Sequence, residues 1–221
     1  MNELFRWDWA VDHTDILLSQ LAEHAWLTLL AVVIGFAISF PLGVVAFRYR
    51  RSLGPIMAVS GFLYTIPSLA LFALLVPFTG ISTLTAEVGL VSYTLLILIR
   101  NIVTGLQGVS EDVKEAARGM GYTSRQLLWK VELPLALPAI AAGVRVATVT
   151  TIGLVTVTAL IGKGGLGYFI LLGLRLSFST AIILGGVLSV LLAVLVDVLL
   201  LRTERFLTPW AKARPAARVT S

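Results

Sequence analysis

The sequence reads Glu115-Ala-Ala-(x3)-Gly121-(x9)-Val131-x-Leu133-Pro134 within a polar stretch that separates two long apolar runs. Charged side chains are frequent in this stretch and scarce in the runs on either side of it. A chain that crosses a bilayer places so many charges between two spans only where the segment faces water. We therefore predict an all-α, polytopic membrane protein with a water-facing loop over residues 107–134.

The composition favours the same class of protein. Of the 221 residues, 57% are apolar and only 13% are charged, whereas soluble domains are about half apolar and a quarter charged. The chain has no cysteine, which excludes a disulfide framework and a zinc–thiolate site, and we expect no bound metal. The net charge of +5 does not indicate a nucleic-acid partner, because the positive side chains flank the apolar runs.

Five apolar runs are long enough to cross a bilayer, which takes about 20 helical residues. They cover roughly residues 26–47, 56–78, 88–106, 139–161 and 180–201. We expect residues 1–25 to form an extracytoplasmic segment, residues 26–201 the transmembrane domain and residues 202–221 a basic cytoplasmic tail. Pro41 and Ile66-Pro67-Ser68 interrupt two of the runs, and such breaks either line a pathway or are simple packing kinks.

The loop charges predict the orientation. Positive side chains are concentrated in residues 48–51, 100–132 and 202–218. The opposite side carries only Arg6, Lys163 and Arg175. The positive-inside rule then places the N-terminus outside and the C-terminus inside, as an odd number of spans requires. We expect a multi-pass protein of a bacterial cytoplasmic (inner) membrane.

The water-facing loop is predicted to form a helical hairpin. Asp112 is placed to cap a first helix, with Glu115 three residues later, and Gly121 then gives the left-handed turn that ends a helix. Thr123 begins a second helix with Gln126 at the capping-box position. We expect this second helix to end near the Leu133-Pro134 pair.

The spacing and residue types of Glu115-Ala116-Ala117, Gly121 and Leu133-Pro134 resemble the loop motif of permease subunits of binding-protein-dependent ABC importers. The one departure is Val131, where isoleucine is usual. The resemblance implies that this loop docks onto a separate nucleotide-binding ATPase. It also implies that Ala116 and Ala117 permit close approach, that Glu115 makes a polar contact and that Gly121 forms the bend.

The runs at residues 133–140 and 159–167 resemble those of permeases for osmoprotectants such as glycine betaine, carnitine and choline. Methionine permeases share the Gly-Gly-Leu-Gly run. The resemblance implies a type I importer core like that of methionine permeases, and no enzymatic activity or cofactor on this chain, since ATP and Mg²⁺ bind the ATPase. It further implies two ATPase copies, an extracytoplasmic substrate-binding protein and a second permease, identical or paralogous.

Two other classes remain open from the sequence. A secondary transporter needs ion-coupling carboxylates inside the membrane, and Asp197 is the only candidate that the pattern offers. A membrane-anchored scaffold is the other alternative. Within the importer family, methionine or another amino acid is the alternative cargo.

Glycines mark a further candidate site on the outer side. Gly164, Gly165 and Gly167 lie in a run that formally matches G-x-G-x-x-G, but a membrane span precedes it where a dinucleotide site requires a strand. We expect them to turn the chain into a short outer or re-entrant segment over residues 164–174. Such a segment would face the binding protein or act as a gate.

Charged and aromatic residues within the spans give the remaining candidates. Arg145 and Asp197 lie at matching depths, so they either pair near the inner gate or reach the interface separately. Tyr64 and Tyr93 either contact a cationic substrate through their rings or pack against neighbours. The two histidines of the N-terminal segment, His13 and His24, do not suggest a metal site.

Overall fold

The computed structural model describes residues 5–210, which are almost wholly helical and contain no strand, so the all-α prediction is confirmed. The first five helices are α1 (Trp7–Asp12), α2 (Thr14–Arg48), α3 (Arg50–Thr65), α4 (Ser68–Thr79) and α5 (Thr83–Gln107). They are followed by α6 (Glu111–Gly119), α7 (Ser124–Leu127), a π-helical turn (Leu128–Glu132), α8 (Leu133–Val155), a 3₁₀ segment (Thr156–Ile161), α9 (Gly167–Leu176) and α10 (Ser179–Leu207).

Four stretches of the described chain are long and apolar enough to cross a membrane. They are Thr14–Arg48, Thr83–Gln107, Ser124–Ile161 and Ser179–Leu207. Together α3 and α4 supply a fifth, which agrees with the predicted count, but the two helices are bent by 95°. The span predicted over residues 56–78 is therefore either one broken span or a re-entrant loop, and its break lies at the predicted Ile66-Pro67-Ser68 interruption. Ile66 is extended (ψ 126°), as a residue before proline prefers, and Pro67 precedes α4.

The first and last long helices extend beyond the predicted spans. Helix α2 has 35 residues and begins at Thr14, so no helix boundary falls near residue 25. At 1.5 Å per residue it is roughly 52 Å long, which exceeds a hydrocarbon core of about 30 Å. Pro41 lies inside α2 without ending it. Helix α10 continues to Leu207, and part of the predicted basic tail, residues 211–221, lies outside the described residues.

Helix α5 lies at the centre of the bundle, where it packs against α2, α3, α4 and α8. A Cβ on Gly35 would lie 1.9 Å from Oγ1 of Thr94, and one on Gly43 would lie 2.6 Å from Cγ2 of Ile102. Because the two contacts advance together along both helices, α2 and α5 run parallel. Gly143 of α8 makes a similar approach to α5. Such contacts between small residues allow helix backbones to approach closely in a membrane.

Candidate functional site

The turn of the loop hairpin closes the end of α6. The amide of Tyr122 donates to the carbonyl of Ala117 (3.2 Å), and the amide of Gly121 donates to the carbonyl of Arg118 (2.9 Å). These two bonds are those of a Schellman motif. Gly121 has φ +84°, and a Cβ there would meet nothing within 4 Å. The position therefore needs glycine for its backbone conformation and not for space.

The caps of the hairpin agree only partly with the sequence prediction. The capping box is confirmed: the Gln126 amide donates to Oγ1 of Thr123 (3.3 Å), and the Thr123 amide donates to Oε1 of Gln126 (2.9 Å). The cap predicted at Asp112 is wrong, because Ser110 is the N-cap residue and Asp112 lies within the first turn of α6.

The second arm of the hairpin does not end at Pro134. Helix α7, the π turn and α8 form one continuous helix from Ser124 to Ile161. Within the π turn the amide of Leu133 donates to the carbonyl of Leu128, five residues back. This change of register lies just before Pro134, which lacks the amide that a regular helix would use. The hairpin is therefore joined rigidly to a membrane span.

One side of α6 packs against the protein itself. Lys114 and Ala117 are both buried, and Nζ of Lys114 lies 5.6 Å from the ring centroid of Phe47, near the end of α2. Glu115 and Ala116 are exposed. Of the two alanines of the motif, only Ala116 is therefore available to a partner, and Ala117 instead lets α6 approach its own chain.

Next to this buried side, α6 presents an apolar strip to water. Val113 is 42% exposed and Met120 is 71% exposed, and Ala116 lies between them at helical spacing. A hydrogen bond from Arg118 (2.8 Å), and then one from Lys114, hold the pKa of Glu111 below its ordinary value, so its carboxylate is charged at neutral pH. An apolar strip beside charged residues has the character of a protein contact surface.

The root of the hairpin is tied to α2 by an arginine. Nη2 of Arg48 donates to the carbonyl of Ser124 (2.6 Å) and lies 3.9 Å from Oε2 of the buried Glu132. Leu133 packs on the core cluster that contains Ile102 of α5. The motif residues Leu133 and Pro134 thus lie where the second arm enters the bundle.

The structure brings Arg145 and Asp197 together. Nε and Nη2 of Arg145 donate to Oδ1 and Oδ2 of Asp197 at 2.9 and 3.0 Å, and Nη1 donates to Glu204 at 3.3 Å. Glu204 was missing from the sequence prediction because it lies beyond the apolar run, in the continuation of α10. The network joins α8 to α10 and carries one more negative than positive charge.

The glycines of the 164–167 loop make close contacts. A Cβ on Gly164 would lie 2.2 Å from Cβ of Ala159, and one on Gly167 would lie 2.2 Å from the carbonyl oxygen of Thr156. Gly165 has φ +46°, and a Cβ there would lie 2.6 Å from Cβ of His24. The glycines therefore fold the loop tightly onto α2 and the 3₁₀ segment, and the short helix α9 follows where the sequence predicted a short segment.

His24 connects this loop to two helices, which sequence reasoning missed. Its side chain is fully buried. Nε2 lies 2.9 Å from the carbonyl oxygen of Ile152, and Nδ1 lies 3.3 Å from the amide of Leu166. The carbonyl only accepts and the amide only donates, so the imidazole is neutral with its proton on Nε2. The sequence offered one indication of this role: His24 lies just before the first apolar run, where the helical pattern of that run already extends.

The two tyrosines of the candidate path meet edge to face. The ring centroids of Tyr64 and Tyr93 are 5.8 Å apart at 71°, and the Tyr93 hydroxyl donates to the carbonyl of Ile66 at the break between α3 and α4. Tyr93 is buried, whereas Tyr64 is 39% exposed. Only Tyr64 therefore has a ring surface available for a ligand.

A second carboxylate lies inside the bundle. Glu87 of α5 is 6% exposed, and neither of its carboxylate oxygens has a hydrogen-bond partner among residues 5–210. Asp197 is therefore not the only intramembrane acid, contrary to the sequence interpretation.

The chain is a bundle of membrane-spanning helices with a water-facing hairpin that exposes an apolar strip. This is the architecture of the membrane subunit of a transporter that works with a soluble partner. The chain belongs to the family described as the binding-protein-dependent transport system inner membrane component, which matches residues 35–209. It is thus a multi-pass inner-membrane permease subunit and not an enzyme. In this family ATP hydrolysis is carried by a separate ATPase subunit, and a substrate-binding protein is a further partner.

The curated relatives are similar over most of their length. The chain is 39% identical to the glycine betaine/carnitine/choline transport system permease protein OpuCB of Bacillus subtilis, over 87% of this chain and 89% of that one. It is 39% identical to the osmoprotectant import permease protein OsmW of Salmonella typhimurium, over 90% and 95%.

A solved structure supports the predicted core. The fold matches an inward-facing structure of the MetNI methionine ABC transporter with a TM-score of 0.79 and 25% identity, over 89% of this chain and 98% of that one. The prediction of a type I importer core like that of methionine permeases is confirmed.

Proposed function

We propose that this chain is the permease subunit of an ATP-driven importer for compatible solutes, namely glycine betaine, carnitine, choline or similar quaternary amines. The relatives named above support this cargo, since they match nearly the whole chain. The observation that carries the coupling role is the exposed strip of Val113, Ala116 and Met120, on a helix that the neighbouring Lys114 and Ala117 anchor to the protein.

In the proposed mechanism the strip on α6 docks onto the ATPase, with Glu115 as a polar contact beside it. Two ATPase copies close on ATP, and their motion rocks a pair of permeases, identical or paralogous, between outward- and inward-facing states. ATP, Mg²⁺ and the substrate-loaded binding protein shift this equilibrium only as far as their affinities for the two states differ. The Schellman turn at Gly121 and the continuous second arm give the hairpin the stiffness that this transmission needs.

The other candidate residues take positions along the proposed path. The N-terminus lies outside and the C-terminus inside, as the loop charges favour. The loop of Gly164, Gly165 and Gly167 then faces the binding protein, and the Arg145–Asp197 pair lies near the inner end. Tyr64 presents its ring to the cationic headgroup of the substrate, and Tyr93 holds Tyr64 in place.

Methionine is the second candidate cargo, because the fold is similar to that of the MetNI methionine ABC transporter. The first test is uptake of labelled glycine betaine after a salt upshift in native cells with and without this gene. Loss of ATP-dependent uptake on deletion, restored by the wild-type gene but not by Gly121→Asp, supports the proposal. Unchanged betaine uptake in cells lacking other betaine systems, with methionine uptake lost instead, would replace the cargo.

A further inference from the structure

An apolar groove lies between α2 and α8 at the end of the bundle that carries the hairpin. Its volume is about 420 Å³. Its walls include Phe36 and Phe40 of α2, Leu133 and Leu137 of α8, and two tryptophans, Trp129 and Trp210. These are two of the five tryptophans of the chain, and both are about half exposed. Tryptophan at the end of a membrane span is typical of the lipid interface.

Two cations lie at the mouth of this groove. Trp129 also lines a small polar recess together with Arg125 and Lys130. Both basic side chains are exposed, and among residues 5–210 neither forms an ion pair with an acid. Nζ of Lys130 lies 6.0 Å from the ring centroid of Tyr122, a contact that leaves its charge uncompensated.

The charges and the groove form one continuous surface along the second arm. Two series of residues run along this arm at three- and four-residue spacing: Arg125, Trp129, Leu133 and Leu137, and Gln126, Lys130, Leu133 and Leu137. Residues at such spacing share a side of the helix. Lys130 and Leu137 are seven residues apart, roughly 10 Å along the axis. The surface therefore changes from cationic to aromatic to aliphatic over the depth at which a phospholipid changes from phosphate to acyl chain.

We propose that this surface binds one anionic phospholipid, with its phosphate at Arg125 and Lys130 and an acyl chain in the groove against Phe36, Phe40 and Leu137. A soluble anion would leave the apolar walls unused. A soluble partner cannot reach them, because Phe36 and Leu137 belong to membrane-spanning helices. The binding depends on the membrane location of the chain and not on the proposed cargo. It places a lipid at the root of the hairpin, beside the π turn.

The test counts lipids that remain on the whole transporter complex in detergent, by native mass spectrometry during titration with phosphatidylglycerol or phosphatidylcholine. The charge variant is Arg125→Gln/Lys130→Gln. Its matched control is Arg50→Gln/Arg51→Gln, which removes two cations from the adjacent end of α3. Leu137→Trp fills the groove without changing the charge.

We expect the wild type and the control each to retain one phosphatidylglycerol per chain. The charge variant should bind this lipid at least tenfold more weakly. We expect Leu137→Trp to weaken the binding of both lipids. We expect phosphatidylcholine to bind the charge variant and the wild type about equally. If the charge variant and the control lost phosphatidylglycerol binding equally, the effect would come from general surface charge, and the proposed site would be refuted. Unchanged retention in Leu137→Trp would overturn the acyl-chain position. Because the chain has no cysteine, Leu137→Cys adds a third check: an efficient disulfide between two copies would show that protein covers the groove.

Discussion

Removing the His24 side chain should release the glycine loop, residues 164–167, from the bundle. In His24→Ala the amide of Leu166 loses its acceptor and the carbonyl of Ile152 loses a donor. A buried amide left unsatisfied costs about 1–3 kcal/mol, and losing the second bond costs about 1 kcal/mol. We therefore expect the free energy of opening the loop to fall by about 2–4 kcal/mol, which corresponds to roughly a 30- to 700-fold increase in the open population.

A single engineered cysteine measures this opening. The chain has no cysteine, and Leu166 is fully buried, so Leu166→Cys reacts with a thiol reagent only when the loop opens. The labelling rate in the His24→Ala background should rise by the factor given above. His24→Asn should retain much of the protection, because its Oδ1 stands near the position of Nδ1 and accepts from the Leu166 amide. His24→Gln should protect less, because its amide reproduces the Nε2 side of the ring.

The other histidine of the chain provides the control. His13→Ala removes the same side chain from the junction of α1 and α2. It should change the labelling rate of Leu166→Cys less than about threefold, since the His13 ring bonds to the carbonyl of Trp9 and stacks on the Trp9 ring, away from the loop. Equal labelling in wild type and His24→Ala would refute the reasoning. So would an order in which His24→Gln protected better than His24→Asn, because the loop bond runs through Nδ1.

Three further outcomes are expected. Gly121→Ala should destabilise the hairpin turn by about 1–2 kcal/mol, because φ +84° is strained for any residue with a Cβ. Stimulation of ATPase activity by the loaded binding protein should therefore fall. The control Gly119→Ala should leave this stimulation unchanged, because Gly119 has a normal φ and open space around it. Arg145→Asp and Asp197→Arg should each lower the melting temperature of the detergent-solubilised complex, and the double swap should recover part of it; no recovery would mean that Glu204 or lipid, rather than the pair, sets the stability. Glu87→Gln should raise the free energy of unfolding by about 1 kcal/mol, since a buried amide costs less than an unpartnered carboxylate; a large loss in SDS-unfolding experiments would contradict this.

Local chemistry made much of the coupling hairpin predictable. The Thr123–Gln126 capping box and the turn at Gly121 depend on neighbouring residues, and both occur as the sequence indicated. Apolar length alone predicted the four unbroken spans. By contrast, Pro134 suggested an end to the second arm, because the π turn that accommodates it has no signature in the residues themselves.

The features that the sequence did not predict depend on tertiary contacts. The role of His24 depends on its hydrogen bonds to Ile152 and Leu166, which are more than 120 residues away in the sequence. Ala117 is buried on a helix that packs against α7 and the π turn, with Lys114 reaching Phe47 of α2. The spacing of the motif leaves undecided which side of α6 is buried. The 95° bend between α3 and α4 exceeds what one proline imposes on a helix, since Ile66 and Pro67 leave the helical conformation altogether.

The unbroken helix from Ser124 to Ile161 has a mechanical consequence. Its 38 residues make a rod roughly 57 Å long, with the hairpin at one end and the glycine loop at the other. If the rod pivots near its middle, a tilt of about 5° displaces each end by roughly 2.5 Å in opposite directions. The π turn and Pro138 change the hydrogen bonding within its first half but do not end the helix. In the proposed mechanism, a small movement of the ATPase therefore reaches the loop that His24 fastens at the other end of the helix, as a tilt of the helix as a whole.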